Sequence, residues 1–129
     1  MDIISLFKSL PNVYFMGNFT EEAIAEAETK LCLSFASDYK EFLKNFGGMV
    51  YKQIEIIGIN PEFPDNCVES TLEARSEDSS IPSDCYVISN PLIDGILYLQ
   101  NASGQIYVHY PFMEPEKLFD NLQEFVLSF

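Results

Sequence analysis

The chain holds one histidine, His109, and any Ser-His-Asp or Cys-His machinery would have to use it. It stands between Val108 and Tyr110, where a histidine reads as a surface or edge residue of a strand rather than as a catalytic base. The three cysteines, Cys32, Cys67 and Cys85, are odd in number and include no C-x-x-C pair, so neither a disulfide framework nor a zinc site is expected. Cys32 and Cys85 lie in apolar segments and are expected to pack as small hydrophobes, whereas Cys67, in a polar stretch, is expected to be exposed. No G-x-x-x-x-G-K-(S/T) or G-x-G-x-x-G run offers a phosphate cradle. The D-x-(D/N)-x-(D/N)-G calcium pattern is also missing. Neither a cofactor nor a metal is therefore expected. With 20 acids in 129 residues, chance carboxylate pairs must occur, and none sits in a recognisable acid–base motif. The expectation is a protein that works through its surface and is not an enzyme.

Charge is the strongest compositional signal. Seven Lys and Arg residues against 20 Asp and Glu give a net charge of −13. Such a chain repels nucleic-acid phosphates and anionic lipid, and it attracts a basic protein and speeds that encounter. The acids concentrate between Asn60 and Asp84, where seven of them face the single Arg75. This segment holds three of the seven prolines and shows little periodicity, although VESTLEARSE suits a short helix. It reads as an acidic insertion, residues 60–84, projecting between two strands. The partner-binding candidates are its carboxylates Glu62, Asp65, Glu69, Glu73, Glu77 and Asp78, together with Tyr98 and Tyr107 on predicted strands, aromatics of the type that anchor interfaces.

The elements that must position these residues follow from periodicity. Ile3, Leu6, Phe7 and Leu10 predict a helix over Met1 to Leu10, ended by Pro11. Val13 to Met16 reads as a short extended piece. Ile24, Ala27 and Leu31 form the stripe of a helix capped by Thr20, with Glu21 and Glu22 where the helix dipole favours negative charge. Tyr39, Phe42, Leu43 and Phe46 form the face of another, with Ser37 or Asp38 as its cap and the Gly47-Gly48 pair as its stop. MVYKQIEIIGI reads as one or two strands, with Gly58 marking a bulge or the close approach of another backbone. CYVISN is a strand, and ILYLQ and QIYVHY form a hairpin with Gly104 at the left-handed position. Pro115 is expected to open a last helix over 116–128, striped by Leu118, Leu122, Phe125 and Phe129. Helices grouped before hairpin-linked strands imply an α+β domain: an antiparallel or mixed sheet packed against N-terminal helices and one C-terminal helix. At 129 residues, a single domain over 1–129 is expected.

The stretch AEAETKLCLSFASDYKEFLKNFGG resembles the opening motif of the SUKH superfamily, a helix ending in E-x-x-L-x-(L/F), a short link, then D-Y-x-x-F-L-x-x-x-x-G. Glu28, Leu31, Leu33, Phe35, Asp38, Tyr39, Phe42, Leu43 and Gly48 fill it, with Ala36 where proline is usual. The similarity resumes around Gly104 and at Phe119, Leu122, Phe125 and Val126, and it is absent between Asn60 and Ser83. The resemblance implies the same α+β fold. It also implies a function, because the superfamily includes bacterial immunity proteins and a yeast regulator of cell-wall synthesis. An immunity-type protein would bind and neutralise a cognate toxin, a basic nuclease for instance, by one-to-one contact. The alternative is a regulatory or scaffold module with a host partner, although long disordered flanks of the yeast kind are not read here. A small hydrolase built on clustered carboxylates would need one acid with a strongly raised pKa in a cleft. No apolar run approaches the ~20 residues of a membrane span, and MDIISLFKSLPN is not read as a signal peptide. A cytoplasmic location is expected, and the oligomeric state stays open.

Overall fold

The computed structural model describes residues 2–129; Met1, the first residue of the predicted N-terminal helix, lies outside them. In chain order the elements are α1 (Ile3–Lys8), β1 (Tyr14–Phe15), α2 (Glu21–Leu31), α3 (Ser37–Asn45), β2 (Met49–Tyr51), β3 (Ile54–Ile56), α4 (Cys67–Glu77), β4 (Cys85–Ser89), β5 (Leu97–Asn101), β6 (Ile106–His109), β7 (Glu116–Phe119) and α5 (Leu122–Leu127). The strands form two antiparallel sheets, β1-β2-β3 and β4-β5-β6-β7. The sheets meet where the Ile57 N–H donates to the Ile88 carbonyl at 2.9 Å and the Ser89 hydroxyl donates to the Glu55 carbonyl at 2.6 Å. The architecture is α+β.

The helix pair forms for the reasons its spacing gives. Thr20 accepts the Ala23 N–H at 3.1 Å and opens α2, whose Ile24, Ala27 and Leu31 are buried. Helix α3 buries Tyr39, Phe42, Leu43 and Phe46 against Phe7 of α1 and Phe35. Gly47 closes α3 at a φ of +68°. The expected cap of α3 is corrected, because Ala36 holds the cap position and offers no side chain to the helix. The Asp38 carboxylate instead accepts the Gln100 amide at 3.0 Å and the Leu122 N–H at 2.9 Å. Gln100 in turn accepts the Tyr86 hydroxyl at 2.6 Å, and that hydroxyl accepts the Ala36 N–H at 2.9 Å. This buried chain ties the α2–α3 link to β4, β5 and the start of α5. Gly58 does mark a close approach: a Cβ there would lie 1.9 Å from the Gly47 carbonyl oxygen.

Two segments depart from expectation. Residues 116–119 are β7, paired to β6, and not helix; α5 starts only after Asn121, which accepts the Glu124 N–H at 2.9 Å as its cap. Leu118, expected on the helix stripe, is 41% exposed on that strand. The stretch 60–84 does lie between strands, but it does not project as a solvated insertion. Helix α4 packs against β4 and α2, with Asn66, Cys67, Val68 and Thr71 buried. Its inward face is composed of small or polar side chains, so it shows almost no amphipathic signal in the sequence. Cys85 is buried as expected, but the expectation reverses for the other two cysteines. Cys67 is buried in α4, and Cys32, which ends α2 in a left-handed conformation, is exposed.

Candidate partner-binding surface

Helix α4 presents one polar face and hides the other. Asn66 caps it by accepting the Glu69 N–H at 2.9 Å, and the Thr71 hydroxyl accepts the Val87 N–H at 2.9 Å, which fastens the helix to β4. Arg75 turns inward. Its guanidinium donates to the carbonyls of Leu31, at 3.0 Å, Ser83, at 3.0 Å, and Cys85, at 3.4 Å. The segment's only base is thus half-buried and engaged by backbone carbonyls. Outside, Glu69, Glu73 and Glu77 recur every fourth residue along one exposed edge. Like charges at this spacing oppose the helix by about 0.2–0.5 kcal/mol per pair, so folding alone does not account for the stripe.

Asp78, grouped with these carboxylates in the sequence, is not available to a partner. One of its oxygens accepts the Ser80 N–H at 2.9 Å and the Ser80 hydroxyl at 2.6 Å, and the other accepts the Phe112 N–H at 2.6 Å. The Ser80 hydroxyl, followed by the Phe112 N–H, holds the Asp78 carboxyl below the usual carboxylate range. His109 joins this group. Contrary to the surface reading it is buried, with Nε2 at 2.8 Å from the Ser80 Oγ and 3.7 Å from the Asp78 Oδ2. Ser, His and Asp therefore do come together, but not as a nucleophile relay. In a relay the carboxylate holds Nδ1 and the base at Nε2 takes the serine proton. Here the Ser80 proton goes to Asp78, so Nε2–H must donate to Ser80, and Nδ1 is buried without a hydrogen-bond partner. The arrangement is a clamp from β6 to the end of α4 and to the β6–β7 loop.

Glu62 and Asp65 are exposed ahead of α4. Asp65 borders a groove of about 350 Å³ with Tyr14, Met16, Glu55, Phe63 and Pro64. Partial burial, and then the charge of Asp65, push the Glu55 carboxyl upward. Tyr98 and Tyr107 do not share a face: Tyr98 pairs with Val108 and Tyr107 with Leu99, so their side chains leave the sheet on opposite sides. The Tyr98 ring packs 5.0 Å from that of Phe125, and the Tyr107 hydroxyl donates to Gln105 at 3.0 Å. Both are half-buried supports rather than free anchors.

Four of the five most exposed large apolar side chains lie elsewhere, and the sequence reading missed them. Leu92 (79% exposed), Ile93 (57%), Phe112 (78%) and Met113 (60%) occupy the β4–β5 and β6–β7 loops. The available signal was a pair of large apolar residues placed directly after a proline and outside any strand, as Pro91-Leu92-Ile93 and Pro111-Phe112-Met113. Among the described residues no group of three or more His, Cys, Asp or Glu side chains could hold a metal ion, and no helix is long and apolar enough to cross a membrane.

The family profile described as "SMI1-KNR4 cell-wall" (SUKH_5) matches residues 2–129. The chain belongs to the SUKH superfamily. A solved structure, described as a protein from Pseudomonas syringae pv. tomato, superposes with a TM-score of 0.69 at 18% identity, covering 89% of this chain and 86% of that one. At that identity the likeness speaks for the fold. A comparison with curated proteins finds no significant match. The SUKH motif positions have structural roles. The Glu28 carboxylate accepts the Phe35 N–H at 2.8 Å and lies 3.4 Å from the Lys40 ammonium, the Asp38 carboxylate ties α3 to β5 and α5, and the Tyr39 hydroxyl donates to the Ile57 carbonyl at 2.7 Å. The motif thus specifies how helices and sheets lock together, and the surface is left to carry the specific function.

Proposed function

We propose that this SUKH protein is an immunity-type binding protein and not an enzyme: in the cytoplasm it neutralises a cognate basic toxin of the nuclease kind by one-to-one contact. The observation that carries this reading is the Glu69–Glu73–Glu77 edge of α4, exposed while Arg75 is half-buried and engaged by backbone carbonyls. A nuclease grips phosphate with Lys and Arg residues, and a rigid row of carboxylates is a surface those residues can meet. The net charge of −13 extends the attraction beyond contact range and raises the association rate. The family description favours a second reading, a regulatory or scaffold module with a host partner related to cell-wall synthesis.

Reversal of the stripe tests the first reading. With the partner purified, the E69K/E73K/E77K variant should associate about tenfold or more slowly than the wild type at low salt, and the two rates should converge as salt rises. Equal rates at low salt would remove α4 from the mechanism.

A further inference from the structure

The β4–β5 and β6–β7 loops leave the same end of the second sheet, where Leu97 pairs with His109. They touch there, since a Cβ on Gly95 would lie 3.0 Å from the Pro111 ring. Together they hold out Leu92, Ile93, Tyr110, Phe112 and Met113, all exposed. Two of these residues sit where an L residue rarely does: Leu92 has a φ of +60° and Phe112 one of +61°. Such positions persist only where the surroundings over-determine them, and they cluster at binding sites.

The surroundings here do over-determine them. The Leu92 N–H is held by the Asn90 side chain at 2.9 Å, and the Phe112 N–H is held by Asp78 within the His109–Ser80–Asp78 clamp. The Met113 N–H donates to the Tyr110 carbonyl at 3.1 Å and the Ile96 N–H to that of Ile93 at 3.0 Å. The buried polar cluster, which performs no relay, therefore fixes the backbone from which an exposed phenylalanine projects. A loop backbone already ordered lowers the cost of using its apolar side chains as anchors on binding.

The charge around the tip selects the occupant. The two loops carry Asp94 and Glu114 and no Lys or Arg. A cleft of about 180 Å³, lined by Glu77, Asp78, His109, Pro111 and Phe112 among others, joins the tip to the end of the α4 stripe. A second copy of this acidic chain would bring like charges together, and an anionic membrane would be repelled. We infer that the Leu92–Ile93/Phe112–Met113 tip is the apolar anchor of the binding face, and that its occupant is a basic protein with an apolar recess. The inference rests on the proposed reading of the α4 stripe and extends it: the stripe steers the partner, and the tip retains it.

The test places a photo-crosslinking benzoylphenylalanine, one at a time, at Phe112, Ile93, Glu73 and Tyr14 of the full chain in its native host. Tyr14, an exposed aromatic residue of the other sheet, is the control. The expected result is one basic protein crosslinked from positions 112, 93 and 73 and not from 14. The L92S/F112S variant should keep the wild-type melting temperature, because both side chains are exposed, and should release that partner at least about tenfold faster. A basic partner crosslinked from position 73 but not from 112 or 93 would overturn the tip alone. Its absence at all of these positions would overturn the tip and the proposed function together. Adducts at the tip with a second copy of this chain, with lipid, or with an acidic protein would also overturn the inference, as would an unchanged release rate.

Discussion

Tyr86 shows how much one side chain can hold. Its hydroxyl accepts the Ala36 N–H and donates to Gln100, whose amide reaches Asp38 and the Gly104 carbonyl. Replacing it with phenylalanine leaves a backbone donor and an amide oxygen buried without partners. Tyr86→Phe should therefore lower stability by about 1–3 kcal/mol in urea unfolding. Asp78 gives a pH dependence. Its folded pKa lies below the ordinary value of 3.8, so its contribution is complete above that pH and is lost as the pH falls through the folded pKa. The wild-type melting temperature should accordingly fall more steeply than that of Asp78→Asn below about pH 4. The thiols divide in the same local way. Burial pushes the Cys67 and Cys85 thiols up to about 12, whereas Cys32 is exposed. A thiol-specific chromogenic reagent should titrate one cysteine in the native protein and none in Cys32→Ser.

At the scale of elements, the tightest constraint is the crossing of Gly58 and Gly47. A methyl group at Gly58 would meet a backbone carbonyl at 1.9 Å, which cannot swing away as a side chain would. Gly58→Ala should destabilise the protein by about 3 kcal/mol or more, read as a shifted denaturation midpoint with the slope kept. This contact was legible in the sequence as a glycine inside a run of β-branched residues. The α2–α3 pair was legible too, because its buried positions are large, apolar and helically spaced. Two elements were less legible, for opposite reasons. VESTLEARSE suits a short helix, and α4 spans Cys67–Glu77, but its packing was hidden because Cys67, Val68 and Thr71 form too small and polar a face to stand out among its acids. Strand β7 reads as helix because Leu118, Leu122 and Phe125 fall at helical spacing, yet backbone pairing to β6 decides its conformation. The candidate surface followed the same logic. The acids of α4 were visible as composition, but the inward turn of Arg75 and the consumption of Asp78 depend on long-range contacts that no local pattern encodes.

Across the whole molecule, charge and shape separate into two tasks. The SUKH motif residues hold helices to sheets, and the surface is acidic, with four of its five most exposed large apolar side chains, Leu92, Ile93, Phe112 and Met113, at the loops of one sheet end. A molecule arranged in this way should find a basic partner quickly at low salt, with the apolar contact slowing its release. The most direct measurement is capture of the native partner by tagged protein from host lysate, with elution by a salt gradient, identification by mass spectrometry and an assay of the eluted protein's activity. The account predicts a single basic protein, released as salt rises, whose toxic activity is abolished by one equivalent of this chain. Recovery of several host regulators without basic character, or of a partner whose activity this chain leaves untouched, would contradict it.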